Sequence, residues 1–185
     1  MPRAVQDYAK DLRDNLEEKE FIVFLCGPTM EDLGPKEASL RFILKEKLSE
    51  AGLTIVVGED DGLQDLQMEF GGDAQSNELR FLTTRADAIV LIASSPGSFS
   101  ELGLFSHIYN SDRKFTFILI INESFKNENS YIYLGPVQII DANGKIFYLN
   151  NNNETDEFDS IVDGIIKILQ TNKFYNTVSL SHEKK

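Results

Sequence analysis

The sequence predicts an α/β fold in which a roughly five-stranded parallel sheet lies between two layers of helices. Three observations predict it. Short apolar runs rich in Ile, Val, Leu and Phe recur along the chain, and between most of them apolar residues repeat at helical spacings of three and four. The runs are continuously apolar rather than alternating, which suits strands covered on both faces. The first of them is followed by a helical pattern and a second run, the strand–helix–strand unit from which parallel sheets are built.

Taken in order, residues 1–20 form an N-terminal helix with Val5, Tyr8, Leu12 and Leu16 on one stripe, suited to pack on the domain or on a second subunit. Phe21-Ile22-Val23-Phe24-Leu25-Cys26 is the first strand and ends in the turn Gly27-Pro28-Thr29-Met30. Pro35 opens the next helix at its first position, Leu40, Ile43, Leu44, Leu48 and Ala51 give its apolar face, and Gly52 stops it. Leu53 to Val57 is the second strand, and the stretch from Gly58 to Gly72 is loop or partly helical. A helix from about Ala74 to Arg85 leads to the strand Ala88 to Ala93, the most apolar run of the chain. A Pro-Gly turn follows, then a helix expected over Phe99 to about Asn110 and the strand Phe115 to Ile121. Residues 122–144 read as irregular, with Tyr131 to Pro136 an ordered loop. Lys145 to Leu149 is the fifth strand. The asparagine run from Asn150 breaks structure, and Thr155 or Asp156 caps a last helix that presents Phe158, Ile161, Val162, Ile165, Ile166 and Leu169. Residues 21–176 thus form one Rossmann-like, doubly wound three-layer sandwich, and 177–185 a flexible polar tail.

The 185 residues suffice for one domain with a real core. A net charge of −12, from 30 acidic against 18 basic residues, argues against a general nucleic-acid surface. The single cysteine, Cys26, excludes an internal disulfide and fits a reducing, cytoplasmic setting. No apolar run approaches the length needed to span a bilayer. His107 and His182 stand far apart without companions, so no metal site and no resident cofactor are expected.

The stretch carrying most chemistry runs from Ser94 to Phe105. In an open parallel sheet it lies outside the carboxyl end of a strand, where ligands bind. Glu101 is then placed in the first helical turn, where the partial positive charge favours an ionised carboxylate able to attack an electrophilic sugar carbon. Ser98-Phe99-Ser100-Glu101 equally fits a capping box, in which Glu101 only closes the helix start. Ser95, Pro96, Gly97, Ser98 and Ser100 are candidates to hold a phosphate or ribose, Gly97 because it lacks a side chain. Gly27, Pro28 and Thr29 are expected to wall the same pocket from the first strand, and Glu59, with Asp60 and Asp61, stands where acids meet ribose hydroxyls. Glu78 and Asp87 read as surface or capping groups. The chain has neither the G-x-G-x-x-G fingerprint nor a P-loop, which excludes an ordinary dinucleotide-dependent dehydrogenase and a P-loop nucleotidase.

Phe24-Leu25-Cys26-Gly27-Pro28, with Glu101-Leu102-Gly103 opening a helix after a later strand, resembles the nucleoside 2-deoxyribosyltransferase superfamily. The fuller Ser95-Pro96-Gly97-Ser98-Phe99-Ser100-Glu101-Leu102-Gly103 is more similar to the deoxyribosyltransferase-like effectors encoded with bacterial retrons, as is Leu134-Gly135-Pro136-Val137-Gln138-Ile139-Ile140. The likeness covers roughly residues 21–149. It implies that Glu101 attacks the anomeric carbon of a nucleoside or nucleotide, NAD among the candidates. It also implies a homo-oligomer and an antiphage role with a defence-system partner. The chain departs from the transferases at Ala93-Ser94-Ser95, where they carry an aspartate that helps the leaving base. Pro96-Gly97-Ser98 also resembles the Pro-Gly-Gly loops of lysine-decarboxylase-like domains, some of which cleave nucleotides and some of which only bind them. The expected function is therefore an N-glycosidase, the alternative being a nucleotide-signal sensor acting through a partner.

Overall fold

Side chains alternate across a strand, so a strand covered on both faces must be apolar at every position. The apolar runs meet that condition. The computed structural model describes residues 3–58, 71–112, 114–126, 129–150 and 155–183. Five strands, β1 (Ile22–Cys26), β2 (Thr54–Val57), β3 (Ala88–Ala93), β4 (Thr116–Asn122) and β5 (Lys145–Leu149), make one parallel sheet in the order β2-β1-β3-β4-β5. Leu25 pairs with Val57 on one side and Val90 on the other, and Ala93 pairs with Ile121, so the carboxyl ends of the central strands lie close to level. At the opposite edge Asp87 ties β1 to β3. The Ile22 N–H donates to Asp87 Oδ2 at 2.9 Å, and the Asp87 N–H donates to Ile22 O at 2.9 Å.

Six α-helices surround the sheet among the described residues: α1 (Arg3–Glu18), α2 (Lys36–Glu50), α3 (Ala74–Thr84), α4 (Pro96–Ser111), α5 (Gln138–Asn143) and α6 (Thr155–Glu183). Leu40, Leu44 and Leu48 of α2 and Ile161, Val162, Ile165 and Leu169 of α6 bury Val23, Leu25, Val90, Ile92, Ile118 and Ile120 on one face. Leu82 of α3, Leu102, Phe105 and Tyr109 of α4, and Ile140 of α5 bury Phe24, Cys26, Ile89, Leu91, Phe117 and Leu119 on the other. This is the expected Rossmann-like three-layer sandwich. α1 packs against α6, with Leu12 and Leu16 half-buried while Val5 and Tyr8 stay exposed. Among the described residues no helix is long and apolar enough to cross a membrane.

Several boundaries differ from expectation. Pro35 is the N-cap of α2 rather than its first residue, with extended backbone (φ −65, ψ 133), and its carbonyl accepts the N–H groups of Ala38 and Ser39 at 3.1 Å. Gly52 ends the helix as expected, at a φ of 77 that a side chain would disfavour. The stretch expected to be irregular contains a short 3-10 turn (Glu123–Phe125), a π-helical turn (Tyr133–Val137) and α5. Pro136 explains why the sequence reads as a loop: it has no N–H for the helical ladder, and the wider π turn accommodates it. The last helix runs on to Glu183, past the expected start of the tail, and at Thr177 (6% exposed) the hydroxyl donates to Lys173 O at 2.8 Å.

Candidate active site

The chain leaves β1 through α2 to reach β2, then returns to lay β3 on the other side of β1. The connections on either side of that reversal diverge and leave a crevice outside the carboxyl ends of β1 and β3. A cavity of about 250 Å³ lies there, lined by Cys26, Gly27, Arg41, Gly58, Glu78 and Glu101. Each wall comes from a different element: the end of β1 and its turn, α2, the residue after β2, α3 and α4. A larger hollow of about 510 Å³ between α1, the end of α2 and α6 is lined by Leu16, Glu17, Ala51, Gly52, Gln170, Lys173 and Phe174, and lies beyond the opposite edge of the sheet.

The Ser94–Ser98 turn mounts Glu101. Ser95 is the N-cap of α4 (φ −124, ψ 161), and its side chain accepts the Ser98 N–H at 3.2 Å. Ser98 is 2% exposed, and its Oγ accepts the N–H groups of Ser94 at 2.9 Å and Ser95 at 2.8 Å. The capping box is therefore Ser95 with Ser98, not Ser98 with Glu101. Pro96 takes the first helical position, so α4 starts three residues before the expected Phe99 and Glu101 falls in its second turn. Two consequences follow. Glu101 is released from a capping duty, and the helix dipole, which acts within the first turn, does less for its charge than expected.

The same geometry changes the reading of the small residues. Gly97 has no positive φ, and a Cβ there would meet only Ser95 Oγ at 3.9 Å, so neither strain nor space demands glycine. Ser100 is exposed, and its hydroxyl donates to Pro96 O at 3.0 Å. Gly27 is different. It sits at φ 151, and a Cβ would come within 3.1 Å of Ile92 Cβ and 3.4 Å of Arg41 Cδ. Beside it, Pro28 O accepts a hydrogen bond from Arg41, while Thr29 Oγ1 accepts the Glu31 N–H at 3.3 Å on the surface. Glu59, Asp60 and Asp61 lie outside the described residues. Cys26, 3% exposed, packs in the core as expected and also faces the cavity.

The sequence reading missed three cavity residues. Arg41 is 2% exposed, with Nη1 donating to Pro28 O and Nη2 to Leu25 O, both at 2.9 Å. Its signal was the buried stripe Ala38, Arg41, Leu44 and Leu48, in which an arginine holds a core position. Glu78 precedes the buried Leu82 by one helical turn, which turns it inward rather than to the surface. Gly58 makes room for it, since a Cβ there would stand 2.9 Å from Glu78 Oε1.

A doubly wound parallel domain with two carboxylates and a buried guanidinium at its switch point is the class that fold and cavity define. Within it the chain belongs to the STM3845 retron effector protein family, whose model matches residues 37–185. It is 29% identical over 163 residues to the candidate ribosyltransferase/DNA-binding protein of retron Ec86 from Escherichia coli, covering 88% of this chain and 50% of that protein. It is 28% identical over 127 residues to the retron Ec73 counterpart from the same organism, covering 64% and 37%. The chain thus spans half or less of the length of these curated relatives. Among solved structures, an azoreductase from Bacillus anthracis aligns over 86% of this chain and 99% of its own at 10% identity, with a TM-score of 0.37, too low to carry an argument.

Proposed function

We propose that this retron effector cleaves the N-glycosidic bond of a nucleoside or nucleotide, NAD among the candidates, with Glu101 as nucleophile and Glu78 as acid and base. The observation that carries the reading is the convergence of the two carboxylates, from α4 and α3, on one cavity at the switch point. A pair of carboxylates is what glycosyl transfer with retention requires. The Glu101 carboxylate attacks the anomeric carbon as the carbon–nitrogen bond breaks. The bonding pair leaves with the base: the base of a neutral nucleoside takes the proton of Glu78, whereas the nicotinamide of NAD leaves neutral and needs no proton, so that Glu78 then acts only as the base toward water. Water then attacks the glycosyl ester and gives its proton to Glu78, releasing the sugar and restoring both acids. Glu78 thus supplies the acid absent from Ala93-Ser94-Ser95.

The relatives' ribosyltransferase names agree with this chemistry. We do not extend the DNA-binding half of those names to this chain, because its charge of −12 opposes phosphate contact. The turn Ser95-Pro96-Gly97-Ser98 serves the site by mounting Glu101. The sensor alternative is less favoured, since a phosphate signal would seek the α4 N-terminus, where the turn's serines already occupy the amides of Ser94, Ser95 and Ser98. An antiphage role, with a retron partner controlling the site, completes the proposal.

The test is mass-spectrometric analysis of pooled nucleosides, nucleotides and NAD after incubation with the protein and with Glu101→Gln. Free base released by the wild type alone supports the reading. Equal release by a folded Glu101→Gln protein overturns it.

A further inference from the structure

We infer that Arg41 is the positioning residue of the acid pair, reaching from the far side of the sheet to hold Glu78 and Glu101 in place. α2 packs on the face opposite α3 and α4, yet its Arg41 side chain reaches over the end of β1 and lines the same cavity as the two acids. Gly27 leaves room beside it: a Cβ there would press on Ile92, at 3.1 Å from its Cβ and 3.3 Å from its O, and would just touch Arg41 Cδ at 3.4 Å. Nη1 on Pro28 O and Nη2 on Leu25 O, both at 2.9 Å, straddle Gly27 and pin the β1 turn from both sides.

Those two carbonyls satisfy donors but carry no net charge. A guanidinium 2% exposed pays heavily in lost hydration, and neutral acceptors alone do not offset it. The Glu101 carboxylate is the opposite charge lining its cavity, and Glu78 stands beside it. The same attraction works in reverse: without Arg41, two acids share about 250 Å³ with no cation among the described lining residues. Arg41 therefore fixes the acids where the chemistry needs them. Lysine is a poor replacement, because an ammonium is a single point that cannot span two carbonyls and face two acids at once.

The effect on turnover rests on the glycosidase reading, but the coupling itself does not. The test is accordingly a double-mutant cycle on folding. Arg41→Met, Arg41→Lys, Glu78→Gln, Glu101→Gln and each arginine–acid pair are unfolded in urea. Loss of Arg41 should lower the folding equilibrium constant, and the loss should shrink at least fivefold once the coupled acid is glutamine. Should Arg41→Met fail to fold, the Arg41→Lys cycle decides alone. Additivity within about twofold for both acids would overturn the inference, since that is how independent sites behave. Where base release is measurable, Arg41→Lys should lower kcat at least tenfold with little change in KM, whereas a full rescue by lysine would also overturn it. A wild type without turnover defeats the glycosidase reading and leaves the folding cycle to judge Arg41.

Discussion

Gly58→Ala separates the proposed chemistry from the fold. Among the described residues beyond its chain neighbours, the only atoms within 4 Å of a Cβ at this position belong to the Glu78 carboxyl, with Oε1 at 2.9 Å. Oε1 must retreat to an ordinary 3.4 Å or beyond, and because it is the far end of a flexible side chain the fold absorbs the shift. Gly58 has no positive φ, so alanine brings no backbone strain and gains a few tenths of a kcal/mol to about 1 kcal/mol from the stiffer unfolded chain. Stability should stay within about 1 kcal/mol of wild type. Turnover should not. A positioned general acid contributes about 10²- to 10⁴-fold, and sub-ångström misplacement forfeits part of that, so kcat should fall about 10- to 100-fold. Urea unfolding and base-release kinetics on the same preparation make the assay. Unchanged kcat in the alanine protein would refute Glu78 as the acid, and a large loss of stability would refute the local reading of the clash.

Two further outcomes follow from named hydrogen bonds. Ser98→Ala removes the acceptor of the Ser94 and Ser95 N–H groups and should cost about 1–3 kcal/mol in urea unfolding. A change below about 0.5 kcal/mol would show that the turn does not depend on it. Asp73, the N-cap of α3, is held below its ordinary carboxylate value of 3.8 by hydrogen bonds from the Ser76 N–H and hydroxyl. Its folded value being depressed, its contribution is full above the unfolded value and is lost as pH falls through the folded one. The gap in urea midpoint between wild type and Asp73→Ala should therefore be constant at neutral pH and close in acid, and a gap that widened in acid would reverse the assignment.

Strands were legible because burial on both faces forces a continuous apolar run, and β3, buried at all six positions, is the extreme case. Glu101 was legible because a strand, a Pro-Gly turn and a helix place it at the carboxyl edge. What escaped were features that local patterns disguise. A Ser-x-x-Glu pattern at Ser98 outshone the Ser95–Ser98 pair that caps α4, since both fit a helix start and only the position of Pro96 at the first turn separates them. Pro136 looked like a loop because a proline in an α-helix breaks the ladder, whereas a π turn tolerates it. Arg41 and Glu78 look like surface charges until the sheet order brings α2 and α3 to one cavity, and that order is a long-range property absent from any window of sequence.

The start of α4 differs from the glycine fingerprint of dinucleotide-binding domains with a parallel sheet. In those domains a phosphate rests on bare amides at the first helix, and glycines let it approach. Here Pro96 has no amide hydrogen, and Ser98 N–H goes to Ser95 Oγ. The Phe99 N–H goes to Ser95 O at 2.9 Å, and the amides of Ser94 and Ser95 go to Ser98 Oγ. A phosphate docking there would meet the Gly97 N–H and would have to break this set to make any further amide bond. On the glycosidase reading, recognition falls to side chains, in a cavity with two acids and one arginine. With Glu78 protonated, Glu101 and Arg41 balance, and such a cavity suits the uncharged or cationic part of a substrate, the base and the sugar carbon that bears it, better than a phosphate. A nucleotide fits this arrangement only with its phosphates turned outward, away from Glu78 and Glu101. Its glycosidic bond is then the part that enters, which is the bond that a carboxylate nucleophile and a carboxylic acid are equipped to break.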